Sequence, residues 1–256
     1  MPDPRHVGIL IPVYDNPATI ADIVRRSSAT GLPVLVVNDG STDATTRILA
    51  DLARSGLRVL HHERNKGKGE AIKTGLREAN RLGWTHAVTI DADGQHHPED
   101  VPLLLRGLDP AEPNPVRIGW RHTMAADANV PRRCRFGRFC SNLAFRLLTG
   151  RALRDTQSGF RLYPVALAAA LAVPTSRYDA EFELLVALSR AGCRIEEIPI
   201  RVHYPPRAER ISHFRPFGDA LRIALCALRL FANPCTGRRS AKPRIAKEAH
   251  GQALRA

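Results

Sequence analysis

The chain is short of aromatic residues, which make up 5% of its 256 positions, and it has only two Trp and two Met. It carries no recognisable nucleic-acid-binding motif, so a protein that stacks bases on aromatic platforms is not indicated. Its five Cys are an odd number and form no CxxC pair, which argues against both a disulfide framework and a structural zinc site and fits a reducing cytoplasm. No stretch of about 20 apolar residues occurs, so no membrane-spanning helix is expected. The first residues, MPDPRHVGILIPVYDN, lack the basic start, apolar core and cleavage site of a secretory signal. Acidic residues are also in deficit, with 25 Asp and Glu against 38 Lys and Arg, a net charge of +13.

Much of that excess sits at Arg132, Arg133, Arg135 and Arg138 and in the tail from Arg238 to Arg255. Basic patches attract nucleic acid, anionic lipid or phosphorylated substrates. With nucleic acid disfavoured, lipid and phosphate remain. Residues 1–235 read as one domain, in two parts over about 7–100 and 115–232. The basic stretch 236–256 reads as a disordered tail.

Apolar runs of strand length lie at 7–13, 34–37, 57–60 and 86–90, with helical patterns at 19–30, after Ser41 or Thr42 as cap, and at 68–82. Strand and helix alternating through short loops imply an α/β fold with a parallel sheet, and ligands of such sheets bind beyond the carboxyl ends of the strands. Farther on, helices are expected at 101–108, 136–148, 180–191 and 219–231, and strands at 116–120 and 194–202, with 111–115 a loop and 155–163 irregular, then extended. The last helix is amphipathic, with Leu221, Ile223, Leu225, Leu228 and Phe231 apolar, and reads equally as core-packing or interfacial.

The most informative stretch is Asp91-Ala92-Asp93-Gly94-Gln95-His96, which follows the strand ending at Ile90. Two carboxylates one residue apart at a strand end both face outward only if the chain turns, which Gly94 permits. Such a pair suits a hard divalent cation with open positions, which in turn grips a diphosphate.

The segments IPVYDN, VVNDGSTDAT, NKGKGEAIKTGL, DADGQHHPED, DTQSGFRLYP and RYDAEFELLVAL occur in the order found in family 2 glycosyltransferases. Over residues 7–232 the chain most resembles the branch that transfers sugars to dolichyl and polyprenyl phosphates. The resemblance implies a GT-A fold, a Rossmann-like and mostly parallel sheet flanked by helices, with a C-terminal amphipathic helix. It also implies an inverting mechanism, a UDP- or GDP-hexose donor, a lipid acceptor and Mg²⁺ or Mn²⁺. Pro12, Tyr14 and Asp15 match the turn that contacts nucleobase and ribose, and Asp39 the nucleotide-binding Asp. Asn38 is either a ligand contact or a turn residue. Lys68 either faces the donor or lies on the surface. Asp91, Asp93 and Gln95 match the metal and diphosphate motif, with Asp93 the foremost ligand, while His96 and His97 shape the loop.

Arg121 matches the Arg that approaches the phosphates, and Arg133 belongs to a cluster suited to an acceptor phosphate. Asp155 either meets sugar hydroxyls or holds the loop or Arg161. Glu181, with Asp179 as alternative, orients the sugar or acts as base. Glu181 and Glu183, two residues apart on a helix, cannot share a face, so only one reaches the site. Arg207 and Ser212 match a phosphate-gripping segment, but Arg210 and His213 replace its Gly and Lys, which leaves a lipid hydroxyl as an alternative acceptor. The basic surface adds an anionic membrane as partner, and a cytoplasmic, peripheral location is expected. A nucleotidyltransferase is disfavoured because IPVYDN stands where a Gly-rich basic loop belongs.

Overall fold

A computed structural model of the chain describes residues 6–108, 115–122, 132–203 and 216–232, apart from the side chains of 132–134 and 216–221. The side chains of Arg133, Arg207, Ser212 and His213, the loop at 111–114 and the tail at 236–256 therefore lie outside the described residues.

Seven strands form one sheet in the order β3-β2-β1-β4-β6-β5-β7. They are β1 (Val7–Val13), β2 (Val34–Asn38), β3 (Arg58–His61), β4 (His86–Thr89), β5 (Val116–Arg121), β6 (Arg161–Pro164) and β7 (Ile195–Ile200). Strand β1 is buried along its whole length because the sheet is covered on both faces. Its side chains alternate between two cores. Leu10 enters one, with α3 (Lys68–Arg81), α6 (Val165–Ala170), α7 (Tyr178–Arg190) and Phe145 of α5 (Arg132–Thr149). Ile9 and Ile11 enter the other, beneath α1 (Ile20–Ser28), α2 (Thr45–Arg54) and α4 (Val101–Leu105). Each fully buried Leu or Ile there contributes roughly 1.5–3 kcal/mol.

The first four strands are parallel, as the alternating pattern implies, but β6 runs antiparallel to both β4 and β5. The sheet is thus mostly parallel, as expected, and the one reversed strand matters for function. Because β6 runs the other way, residues 155–160 enter the sheet at the edge where β4 and β5 leave it. Thr89 pairs with Arg161 and donates from Oγ1 to the Gly159 carbonyl at 2.8 Å.

Two further corrections concern helices. Neither Ser41 nor Thr42 caps α2, which begins at Thr45 without a side-chain cap. Ser41 Oγ instead accepts the Asp15 N–H at 3.0 Å, and Thr42 donates its N–H to Asp15 Oδ1 at 2.8 Å, tying the β1 and β2 turns together. The short α6 went unforeseen. Helix α8 (Pro216–Ala232) packs on the core through Ile223, Cys226, Ala227 and Leu230, while Leu225, Leu228 and Phe231 face outward.

His86 on β4 is buried with Nε2 unpartnered. Burial, and then the charge of Arg117, push its pKa down to about 4. The ring is neutral when folded and protonates on unfolding, so its folded value lies below its unfolded one. Its contribution is intact above about pH 6.5 and lost as pH falls through 4. His86→Leu is therefore expected to flatten the fall in melting temperature between pH 6.5 and 4, a difference of up to about 3 kcal/mol. An unchanged pH profile counts against this account.

Candidate functional site

Strands β1, β2, β4 and β5 all end at one edge of the sheet, and each delivers residues of interest. Beyond β1, Pro12 is buried and Tyr14 and Asp15 form the turn, with Asp15 at a positive φ of 45°. The Tyr14 hydroxyl is held above its usual pKa by its hydrogen bond with Asp15, then by burial and the charges of Asp15, Asp39 and Asp43.

Asn38 is the last residue of β2 and holds the turn that follows. Its Oδ1 accepts the Ser41 N–H at 3.0 Å, and its amide nitrogen lies within 3.3 Å of Thr46 Oγ1 and 3.2 Å of His61 Nδ1. Asp39 is buried and committed to the loop before α3. Its carboxylate accepts N–H groups from Lys66 at 2.9 Å and Gly67 at 2.7 Å, and it lies 2.6 Å from His62 Nδ1. Asp39 thus fixes the loop that starts α3, through partners that the sequence did not announce.

That start carries Lys68. Its Nζ lies 2.7 Å from Asp91 Oδ1 and 2.8 Å from Glu181 Oε2, and sits over the Tyr178 ring at 5.6 Å. It is no surface lysine, since its side chain is 18% exposed. Burial opposes its charge, but Asp91 and then Glu181 overcome this and hold the ammonium above its normal range.

Asp91 and Asp93 precede the turn at Gly94, whose φ of 76° is the expected left-handed conformation. Asp91 is pushed up by burial and brought down further by Lys68, with help from His96 and Arg121, so it stays below the ordinary carboxylate range. Asp93, whose Oδ1 accepts the Gln95 N–H at 3.0 Å, is raised to about 7 by burial and by the charge of Asp91. The antiparallel β6 brings Gly159 so close that a Cβ there would meet the Asp91 carboxylate oxygens at 2.5–2.6 Å. The loop is pinned from its other side by the His203 N–H on the Gln95 carbonyl at 2.9 Å and by the stacking of His96 on Phe160. His96 is buried and shapes the loop, as expected.

At the end of β5, Arg121 grips Asp155 with two parallel bonds, Nε to Oδ2 at 2.7 Å and an Nη to Oδ1 at 2.8 Å. Burial opposes ionisation of Asp155, yet Arg121, and behind it Arg138, hold its pKa low. Asp155 therefore orients Arg121, not Arg161. Arg161 is itself buried and bonded to the carbonyls of Ser158, Thr156 and Glu181.

The structure thus brings Lys68, Asp91, Asp93, Gln95, Arg121, Asp155 and Glu181 to one site. It does not bring Asp179 there. Two residues before Glu181, Asp179 is turned about 200° around the helix. It accepts the Arg177 N–H at 3.2 Å, and its charge acts on Cys226 of α8. Glu183, on that same side, bonds Thr175 and Arg229.

Among the described residues no cluster of three or more His, Cys, Asp or Glu forms a ready metal cage. Asp91, Asp93 and Gln95 nonetheless fit Mg²⁺ or Mn²⁺. They offer hard oxygen donors on one turn, the shortage of cationic charge around Asp93 is what a divalent ion relieves, and such ions are commonly held by one or two carboxylates plus substrate phosphates.

Helices α5 and α8 pack side by side, and their outer faces are apolar. Phe136, Phe139, Leu143 and Leu147 on α5 and Leu225, Leu228 and Phe231 on α8 are 45–68% exposed. Arg146 and Arg222 are exposed on the same two helices. No helix among the described residues is long and apolar enough to cross a membrane.

Comparison with known proteins agrees with this geometry. The profile described as "Glycosyl transferase family 2" matches residues 8–164. The undecaprenyl-phosphate mannosyltransferase of Micrococcus luteus is 30% identical over 75% of this chain and 81% of its own. The UDP-N-acetylglucosamine–dolichyl-phosphate N-acetylglucosaminyltransferase of Methanococcus voltae is 28% identical over 77% of this chain and 86% of its own. A mannosyltransferase from Pyrobaculum calidifontis, solved with GDP-mannose and Mn²⁺, superposes with a TM-score of 0.53 at 17% identity, covering 93% of this chain and 78% of that one. That likeness shows a shared GT-A fold.

Proposed function

The chain belongs to glycosyltransferase family 2, and from that premise we propose that it moves a hexose from a UDP- or GDP-sugar to a polyprenyl phosphate at a membrane surface, inverting the anomeric carbon. The observation that carries the reading is the meeting of Asp91 and Asp93 with Lys68 and the Asp155-held Arg121 at the sheet edge. This arrangement pairs metal-type donors with fixed cations around space suited to a diphosphate.

In the proposed step an oxygen of the lipid phosphate attacks the anomeric carbon, and the bond to the diphosphate breaks with its electron pair leaving on the nucleotide. When bound at Asp91, Asp93 and Gln95, Mg²⁺ or Mn²⁺ supplies charge neutralisation for that leaving group. Arg121, orientation-locked by Asp155, faces the same developing charge. Tyr14 and Asp15 line the nucleoside end. Arg133, Arg207, Ser212 and His213 are assigned to the acceptor phosphate on the resemblance alone.

Residues 1–235 form the catalytic domain in this reading, with 236–256 a basic appendage. The apolar α5/α8 face beside Arg146 and Arg222 suits an anionic leaflet, where apolar area and basic charge add. A cytoplasmic, peripheral placement follows.

Calorimetry with a panel of UDP- and GDP-sugars, with and without Mn²⁺, tests the donor half. Metal-dependent binding of one donor supports it, and none by any donor sinks it. A second experiment separates acceptor classes. A lipid phosphate is already anionic and needs no general base, and Glu181 Oε2 is occupied by Lys68. Glu181→Gln is therefore expected to slow turnover by less than about tenfold, whereas loss of a true base costs roughly 10²–10⁴. A drop in that larger range would favour a hydroxyl acceptor. Co-sedimentation with anionic but not neutral vesicles is expected, and equal binding to both counts against the membrane reading.

A further inference from the structure

Lys68 neutralises one of the carboxylates that the metal reading needs. Its ammonium lies 2.7 Å from Asp91 Oδ1 and 2.8 Å from Glu181 Oε2, so it bridges the turn and α7. A divalent cation on Asp91 and an ammonium at the same half-buried carboxylate would repel each other. The Lys68 stem is anchored at the N-terminus of the 14-residue α3, where Gly67 and Lys66 are fixed by Asp39. Glu181 Oε1, buried without a hydrogen-bond partner, shows that the acidic side of this bridge is not saturated by protein groups.

Resting on the donor and metal reading above, we propose that Lys68 and the divalent cation are alternative partners of Asp91. Before the cation arrives the ammonium holds Asp91 and Glu181 in place. With cation and donor both present, the Lys68 ammonium would turn from Asp91 to a diphosphate oxygen, leaving the Asp91 carboxylate free to help hold the cation. Lys68 is then a switch that makes cation and nucleotide bind as a pair. The cation alone is disfavoured by the ammonium it must displace, and the ammonium moves readily only when a diphosphate receives it. The same coupling acts in both directions, because each ligand must change the other's affinity by an equal factor.

Mn²⁺ binding to the full chain, followed by electron paramagnetic resonance without nucleotide, tests this directly. Lys68→Met removes the competitor and is expected to tighten binding of Mn²⁺ alone by about tenfold or more, within the range that groups behind metal ligands command. The same variant is expected to bind UDP or GDP more weakly in the presence of Mn²⁺, because the receiving cation is gone. Lys68→Met leaves Asp91 and Glu181 uncompensated, so Lys68→Arg serves as a second variant that retains the charge. Its guanidinium forks onto carboxylates more firmly, and it is expected to bind Mn²⁺ more weakly than the wild type does. The predicted order of Mn²⁺ affinity is Met, then Lys, then Arg. An unchanged affinity in either folded variant, or the reverse order, overturns the proposal while leaving the metal site standing. Failure of wild type and both variants to bind Mn²⁺ overturns the proposal and the metal reading together.

Discussion

Asp93→Asn is expected to lower turnover by at least about a thousandfold, several kcal/mol of lost charge stabilisation, and at the same time to raise the melting temperature of the metal-free chain at pH 8. The two effects share one cause. Asp93 lies two residues from the ionised Asp91 in a half-buried turn, and desolvation and that neighbouring charge lift its pKa from an ordinary 3.8 to about 7. Its folded value lies above its unfolded one, so the folded chain holds this proton more tightly, and stability is lost as pH rises from 3.8 through 7. Asn never ionises and escapes the loss. The gain at pH 8 is on the order of 1–3 kcal/mol, a few degrees in melting temperature, and it vanishes below about pH 4. Mn²⁺ added together with UDP or GDP is expected to invert the order by stabilising the wild type and not the variant. Thermal denaturation of both proteins at pH 8 and pH 4, with and without Mn²⁺ and nucleotide, checks all of this. A variant that melts no higher at pH 8 without metal, or that Mn²⁺ with nucleotide stabilises as much as wild type, refutes the account.

The strain that makes Asp93 costly was only half legible in the sequence. The strands before the site were plain, because β1, β2 and β4 are buried on both faces and read as continuous apolar runs. The turn at Gly94 and the placing of three motifs at strand ends followed from that. Partnerships across the fold did not follow. Lys68 meets Asp91 and Glu181 from three separate elements, and Arg121 meets Asp155 because β6 reverses direction, while the four residues RLYP carry no sign of their orientation. The same limit hid the role of Asp39. Its Asp-Gly-Ser context gave no sign of the bonds that Lys66 and Gly67 donate to it. Ser41 misled for a related reason. A serine before an apolar helix reads as a cap, but a nearer donor, the Asp15 N–H, claims its hydroxyl. Helix α6 was missed because VALAAA is too short to show a period and follows Pro164 directly. Helix α8 resisted a single reading because its apolar residues serve two faces, one in the core and one outside.

Arg161 is the residue whose environment departs furthest from its sequence appearance, and its loss carries the largest expected cost in stability. An arginine opening a short strand suggests a surface charge. Instead it is 1% exposed, and its guanidinium donates to the carbonyls of Ser158 at 2.7 Å, Thr156 at 2.7 Å and Glu181 at 2.9 Å, and to the Tyr163 hydroxyl at 3.1 Å. Burial opposes the charge, and Tyr163 and Glu181 help to retain it, so the group stays protonated above its usual range. One planar fork thus fastens the 156–158 segment, which precedes Gly159 against Asp91, to the first turn of α7, which carries Glu181. Arg161→Met leaves those carbonyls without their donors inside the protein, at an expected cost of about 4 kcal/mol or more and roughly 10 °C in melting temperature for a chain this size. Arg161→Lys is not expected to rescue it, since one ammonium nitrogen cannot span carbonyls placed around a guanidinium. Circular dichroism gives the melting temperatures. Calorimetry well below them is expected to show weakened donor binding in Arg161→Lys, because Glu181 and the wall beside Asp91 lose their common anchor. A lysine variant that melts within about 2 °C of wild type, less than 1 kcal/mol at this size, would mean that the carbonyls find other partners and that the fork is not what joins β6 to α7.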